Sequence, residues 1–193
     1  MTIPGSASIV LSACLLFPVR GAWAALAGDY RLMLEDAQGA RQSLGEVQIR
    51  KAQSGFYYRI AWDETRFENH FLSMRPFKCL PHPQRMICRL PYPYDLPRLI
   101  SETDLTDLEY DLLFLHKAPG EYGINAWNGL YFKLTREDGN LVGELHETDL
   151  NVLQAPPEAG VQYPIDPQQI YPASDALWPR RILFEPLSAE VGS

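Results

Sequence analysis

Cysteine, histidine and clustered positive charge are all scarce in this sequence, and each scarcity removes a class of function. There are 3 cysteines and 4 histidines, with none of the paired Cys/His spacing that builds a structural zinc site. Lys and Arg number 17 against 24 Asp and Glu, a formal net charge of -7. Nonspecific nucleic-acid binding needs clustered cations that displace counterions from phosphate, so nucleic acid is not an expected partner. Long apolar runs are missing too. The longest, Ile9 to Val19, holds 11 residues, whereas a helix crossing a bilayer needs about 20. There is no G-x-S-x-G elbow, P-loop or glycine-rich dinucleotide fingerprint, and His146-Glu147-Thr148-Asp149-Leu150 lacks the second histidine of an H-E-x-x-H pair. No cofactor and no metal are expected.

What is present begins with an export signature. The apolar run is followed by Arg20-Gly21 and the small-x-small triplet Ala22-Trp23-Ala24, which reads as a signal segment over residues 1–24, cleaved after Ala24. The mature chain then has no transmembrane span and is expected to be periplasmic or secreted. A minor alternative is lipidation at Cys14, because Leu11-Ser12-Ala13-Cys14 has the form of a lipobox. Export changes the reading of the two remaining cysteines, since oxidising compartments favour disulfides. With Pro83-Gln84 at the centre of a turn, Cys79 faces Cys88 across two strands, and a disulfide is expected there.

Asp138-Gly139 between two alternating runs is a strong hairpin signal, because a type I′ turn needs positive φ at both central residues. The register then sets Leu134 opposite Gly143, Phe132 opposite Leu145, Lys133 opposite Glu144 and Tyr131 opposite His146. Leu130, Phe132, Leu134, Leu141 and Leu145 form a buried face, and the other side is expected to be wet. Residues 29–50 repeat the design. Gln38-Gly39 takes the turn, Arg31 faces Glu46, and Tyr30, Leu32, Leu34, Val47 and Ile49 share one face with Ser43 and Gly45. Gly55 to Trp62 is a third strand with Phe56, Tyr58, Ile60 and Trp62 on its core side. Phe67 to Leu80 reads as one strand bent at Pro76, and Arg85 to Leu90 pairs back through the cysteines.

Leu90 to Arg98 carries too many prolines for a ladder and is an extended connector. The segment Ile100 to His116 admits two readings over residues 100–107. Ser101 and Asp104 suit a helix cap, but the alternation of Leu108, Tyr110, Leu112 and Phe114 with Asp107, Glu109 and Asp111 favours a strand from about Leu105, with the acids on a solvated face. Beyond Leu153 prolines crowd the chain, leaving one short strand candidate at Arg181 to Phe184. The expected organisation is a signal over 1–24, an antiparallel β domain over 25–155 and a proline-rich extended arm over 156–193. The fold class is mainly β, an antiparallel sheet closed or nearly closed into a barrel or sandwich. In outline it resembles a calycin-type barrel, a resemblance of architecture alone that implies no function.

The loop around Gly120 to Gly129 is the best candidate functional surface. Tyr122, Asn125, Trp127 and Asn128 combine aromatic faces with amide groups between glycines, a composition suited to gripping a sugar or a partner chain; the rival and favoured reading is that Tyr122 and Trp127 plug one end of the barrel. His116 and His146 are the next candidates, on the expectation that they converge with Tyr131 and Glu144 where their strands are neighbours. His70 is expected to make a structural hydrogen bond and His82 to be solvated. Arg75, Lys78, Arg85, Arg89 and Arg98 make the disulfide hairpin basic, with the following acidic stretch expected to neutralise it. Three functions follow. The first is a non-catalytic envelope protein that binds a partner protein or a small apolar or sugar ligand. The second is an envelope hydrolase working near His116 and His146, and the third is a structural subunit of an envelope complex.

Overall fold

The computed structural model describes residues 26–71, 76–175 and 177–187. The expected export signal, Cys14 and Arg75 lie outside the described residues. Among those described, twelve strands join one antiparallel sheet: β1 (Gly28–Glu35), β2 (Arg41–Lys51), β3 (Phe56–Trp62), β4 (Glu68–Phe71), β5 (Pro76–Leu80), β6 (Met86–Arg89), β7 (Leu99–Ile100), β8 (Phe114–Lys117), β9 (Gly129–Glu137), β10 (Asn140–Thr148), β11 (Tyr171–Pro172) and β12 (Arg181–Pro186). The order across the sheet is β4-β5-β6-β8-β9-β10-β12-β1-β2-β3-β7, with β11 beside β10. The protein is mainly β, and hydrogen bonds among the described residues do not close the sheet. No described helix is long and apolar enough to cross a membrane.

The central hairpin has the register its sequence dictates: Leu134 faces Gly143, Phe132 faces Leu145, Lys133 faces Glu144 and Tyr131 faces His146. Its turn holds Asp138 at φ 49 and Gly139 at φ 86, as a type I′ turn requires. The β1–β2 hairpin keeps Arg31 opposite Glu46, but the register slips by one between Leu32 and Met33. Gly45 causes the slip. Its φ of 145 suits a bulge and turns the extra residue, Leu44, into the core at 0% exposure, where Ser43 was expected. A Cβ on Gly45 would lie 2.2 Å from the carbonyl oxygen of Ala61, so the close approach of β2 to β3 depends on glycine as well.

Two expectations fail here. Phe67 to Leu80 is not one bent strand, because β4 and β5 fold back on each other with Glu68 opposite Cys79 and Phe71 opposite Pro76. Pro76 opens its strand, the position where a missing N–H is tolerated. The chain after Leu105 is not extended either. Thr106–Asp111 forms α1, the one α-helix among the described residues.

Helical spacing sends Leu105, Leu108 and Leu112 into one apolar cluster and Tyr110 and Leu113 into a second. An alternating strand offers each residue only one of two faces; the helix serves both clusters at once. The acids of this segment are not on a wet face. Asp107 and Glu109 are each 1% exposed, and they accept hydrogen bonds that the short strands around them leave unmade. Asp107 takes the Leu99 N–H at 2.7 Å and the Tyr163 hydroxyl at 2.6 Å. Glu109 takes the Leu134 N–H at 2.8 Å, the Lys133 ammonium at 3.1 Å and the Tyr131 hydroxyl. α1 thereby ties β7 to β9 through side-chain carboxylates where no ladder runs.

The sheet is consequently buried on both faces along part of its length. Phe114, Phe132, Leu134, Leu145, Ile182 and Phe184 belong to the larger cluster, with Phe114 and Phe132 edge-to-face at 6.1 Å. Leu115 and Tyr131 point the other way, into a cluster with Tyr92, Tyr110, Leu150 and Ile165. This second cluster overturns the expectation of one dry and one wet face, because Tyr131 is 2% exposed. Each large side chain buried in these clusters contributes roughly 1.5–3 kcal/mol by removal from water.

Candidate functional site

Cys79 and Cys88 face each other on β5 and β6 at disulfide distance, with sulfurs 2.09 Å apart. The hairpin they staple is tied down at its tip. The His82 ring stacks on Trp178 at 4.5 Å, so His82 has a packing role beyond the solvation expected of it. Three of the basic charges of this region are paired inside the fold. Lys78 and Arg89 share Glu64 at 3.3 and 2.9 Å, and Arg98 meets Asp111 at 2.9 Å. Glu64, from the turn after β3, does work expected of the later acidic stretch.

His116 and His146 do not converge. Pairing of Phe114 with Leu130 and of Glu147 with Leu130 puts His116 on the face of Phe114 and Glu147. His146, opposite Tyr131, is on the other face, because alternate strand residues point to opposite sides. The expectation of a joint site with Tyr131 and Glu144 is therefore corrected.

His116 is buried, with Arg85 Nη1 3.0 Å from its Nδ1 and Glu147 Oε1 3.8 Å from its Nε2. A guanidinium can only donate, so Nδ1 accepts and the ring is a neutral imidazole with its proton on Nε2, toward Glu147. Burial and the Arg85 charge push its pKa below the ordinary 6.5, against smaller upward pulls from Glu147 and Glu121. His146 is half-buried, its Nδ1 3.0 Å from the Glu144 carbonyl. It lines a recess of about 480 Å³ with Tyr131, Tyr163 and Lys133. The Tyr131 hydroxyl is pushed far above its ordinary value by burial and by the Glu109 charge, which keeps it a protonated donor.

The loop residues have a different character. Tyr122 is 101% exposed and Trp127 70%. Ile124, Asn125 and Trp127 line one side of a cleft of about 520 Å³, whose floor and far side include Leu115, Leu150 and Leu153. Two 3-10 turns, Ala126–Asn128 and Leu150–Gln154, frame it. The first is capped by Asn125, whose side-chain oxygen accepts from the Trp127 N–H at 3.1 Å. The second is capped by Asp149, which takes the Asn151 N–H at 2.8 Å. The turns lie close because Gly129 has no Cβ; one would fall 2.3 Å from the Thr148 carbonyl oxygen and 2.5 Å from Leu150 Cγ. Along the rim Gln154 donates to Asn151 at 2.6 Å.

Asn125 and Trp127 thus come together at one cleft, while Tyr122 stands clear of it, Asn128 ends the capping turn, and Tyr131, His116 and His146 lie elsewhere. The far wall was not anticipated from sequence. Leu90, Pro91, Pro93, Leu150, Asn151, Leu153 and Gln154 belong to connectors with no motif, and only their apolar content amid proline hinted at packing. A larger hollow, about 730 Å³, lies between Glu102–Thr106 and β9. Ion pairing of Glu102 with Arg136 ties its two sides together. Comparison of the chain with protein-family models, curated proteins and solved structures returns no match.

Proposed function

We propose that this is an exported, non-catalytic binding protein of the cell envelope, and that the Trp127 cleft takes a small ligand with a flat apolar face, such as an apolar compound or a sugar. One observation carries the reading: three large apolar or aromatic side chains, Tyr122, Ile124 and Trp127, are exposed on one loop beside an apolar cleft. Exposed aromatics held in place by capped turns bind without first losing conformational freedom, and concave apolar sites with a few polar groups are the usual form of a ligand pocket. Asn125, Asn151 and Gln154 supply the polar groups. A disulfide supports the export reading, because such bonds persist in oxidising compartments.

The hydrolase alternative loses its main support with the separation of His116 from His146. A partner protein covering the same loop is the second reading, favoured by Tyr122, which is fully exposed and outside the cleft lining. The test is titration with the apolar fluorophore 1-N-phenylnaphthylamine and, separately, with cellobiose. Saturable binding that Trp127→Ala weakens roughly tenfold or more is the expected result. Binding of both probes unchanged by Trp127→Ala would reject the cleft. No binding of either probe, with Tyr122→Ala abolishing capture of a protein from an envelope extract, would favour the second reading.

A further inference from the structure

On the far side of Pro91 from the Trp127 cleft lies a second depression of about 410 Å³, lined by Arg59, Arg89, Arg98, Trp62, Asp111 and Leu113 among others. Three guanidinium groups against one carboxylate leave this lining with a charge of +2. Behind it, Glu64 is neutralised jointly by Arg89 and Lys78. We propose that this depression is a binding site for a ligand that carries a phosphate group.

Two of the three arginines, Arg89 and Arg98, are positioned before any ligand arrives. Arg89 is largely buried, its side chain 17% exposed, with the guanidinium carbon 4.1 Å above the Trp62 ring and 5.4 Å from that of Phe67. The aromatic faces and Glu64 fix the plane of the fork. Its loss of hydration pushes its pKa below the ordinary arginine value, a penalty that an arriving anion relieves. Arg98 occupies left-handed backbone, φ 56, a conformation that a side chain with a Cβ adopts only when its surroundings impose it. Here they do. The Arg98 carbonyl accepts the Tyr58 N–H at 3.2 Å, and the next residue, Leu99, donates to buried Asp107 at 2.7 Å.

The twist carries the Arg98 side chain over the depression, where Nε donates to Asp111 Oδ2 at 2.9 Å and both terminal nitrogens remain without a protein partner among the described residues. Arg59, on the exposed face of β3, has no ion-pair partner among the described residues. The unengaged N–H groups thus come from three strands or connectors and line one hollow whose charge matches a phosphate monoester dianion. A planar fork pairs two donors with two phosphate oxygens, which is why arginine rather than lysine suits the task. Trp62 and Glu64 hold Arg89 in the wall of the depression, Asp111 and the left-handed backbone hold Arg98 at its rim with the side chain 56% exposed, and Arg59 reaches it from the exposed face of β3, all above an apolar floor, Leu113, that is 1% exposed.

The experiment is calorimetric titration of the folded protein with inorganic phosphate and with glycerol 3-phosphate at constant ionic strength, with sodium chloride as control, alongside flotation with vesicles of phosphatidic acid or of phosphatidylcholine. Arg59→Ala and Arg98→Gly are the variants, the glycine chosen because it accepts positive φ without strain. Saturable phosphate or glycerol 3-phosphate binding, weakened roughly tenfold by each variant while urea midpoints stay put, is the expected result. Selective flotation with phosphatidic acid that both variants abolish would assign the phosphate to a lipid headgroup; its absence would assign a soluble phosphoester. If Arg98→Gly unfolds the protein, Arg59→Ala, at an exposed position with no ion-pair partner among the described residues, decides alone. No saturable binding of either phosphate, or binding that Arg59→Ala leaves unchanged, overturns the proposal.

Discussion

Replacing Glu109 with alanine tests whether α1 holds the sheet by its carboxylates. In the native protein the buried Glu109 carboxylate accepts from the Leu134 N–H, the Tyr131 hydroxyl and the Lys133 ammonium. The last contributes little, because the Lys133 side chain is 51% exposed and exposed ion pairs are worth about 0–1 kcal/mol. The first two become orphaned in Glu109→Ala, both on buried residues, Tyr131 at 2% exposure and Leu134 at 5%. Each orphaned buried donor costs about 1–3 kcal/mol, so the two together should destabilise the protein by about 2–6 kcal/mol. Glu109→Gln keeps an acceptor for the Leu134 N–H, and the Tyr131 hydroxyl rotates to accept from the new amide, so its cost should fall to about 1–2 kcal/mol. Urea unfolding followed by circular dichroism gives both values from the change in midpoint at constant slope. A loss below about 1 kcal/mol for Glu109→Ala, or equal losses for the two variants, would refute the idea that this carboxylate substitutes for a missing strand.

Two further outcomes are expected. Reducing the Cys79–Cys88 bond, which closes a loop of sequence separation 9, should lower stability by about 2–3 kcal/mol through the freed unfolded chain; an unchanged urea midpoint with reductant, or alkylation of both cysteines without it, would count against the bond. His116 has a folded-state pKa below its ordinary 6.5, so its contribution is complete above that value and is lost as pH falls below 6.5 toward the folded-state value, where the loss levels off. His116→Gln should flatten the stability decline between about pH 7 and pH 5.5, and identical slopes in both proteins would contradict the assignment.

The hairpins were legible because turn residue, charge pairing and apolar alternation constrain one another. Around Asp138-Gly139 all three agree and no other register satisfies them. At β2 the same logic was right at Arg31 and Glu46 but missed the bulge, because Gly45 reads as a small strand residue until the approach of β3 demands its φ. α1 was misread for a related reason. Leu108, Tyr110 and Leu112 alternate with Asp107, Glu109 and Asp111, and alternation marks a strand only where one side meets water. Here both sides are buried, a tertiary condition that six residues do not encode. Asn125 and Trp127 were found from loop composition, but the opposite wall and the three converging arginines were not, since spacing along a chain says nothing of which connectors meet across a sheet. His116 and His146 fell to the opposite faces by a parity that only the pairing of β8 with β9 fixes.

β12 lies between β1 and β10, so the last described strand fills the slot beside the first. A newly made chain lacking that strand carries two long open edges, those of β1 and β10, each offering unpaired N–H and C=O groups to any neighbour. Assembly of the sheet must therefore wait until β12 has been delivered, and until then the molecule is at once unable to finish and prone to stick.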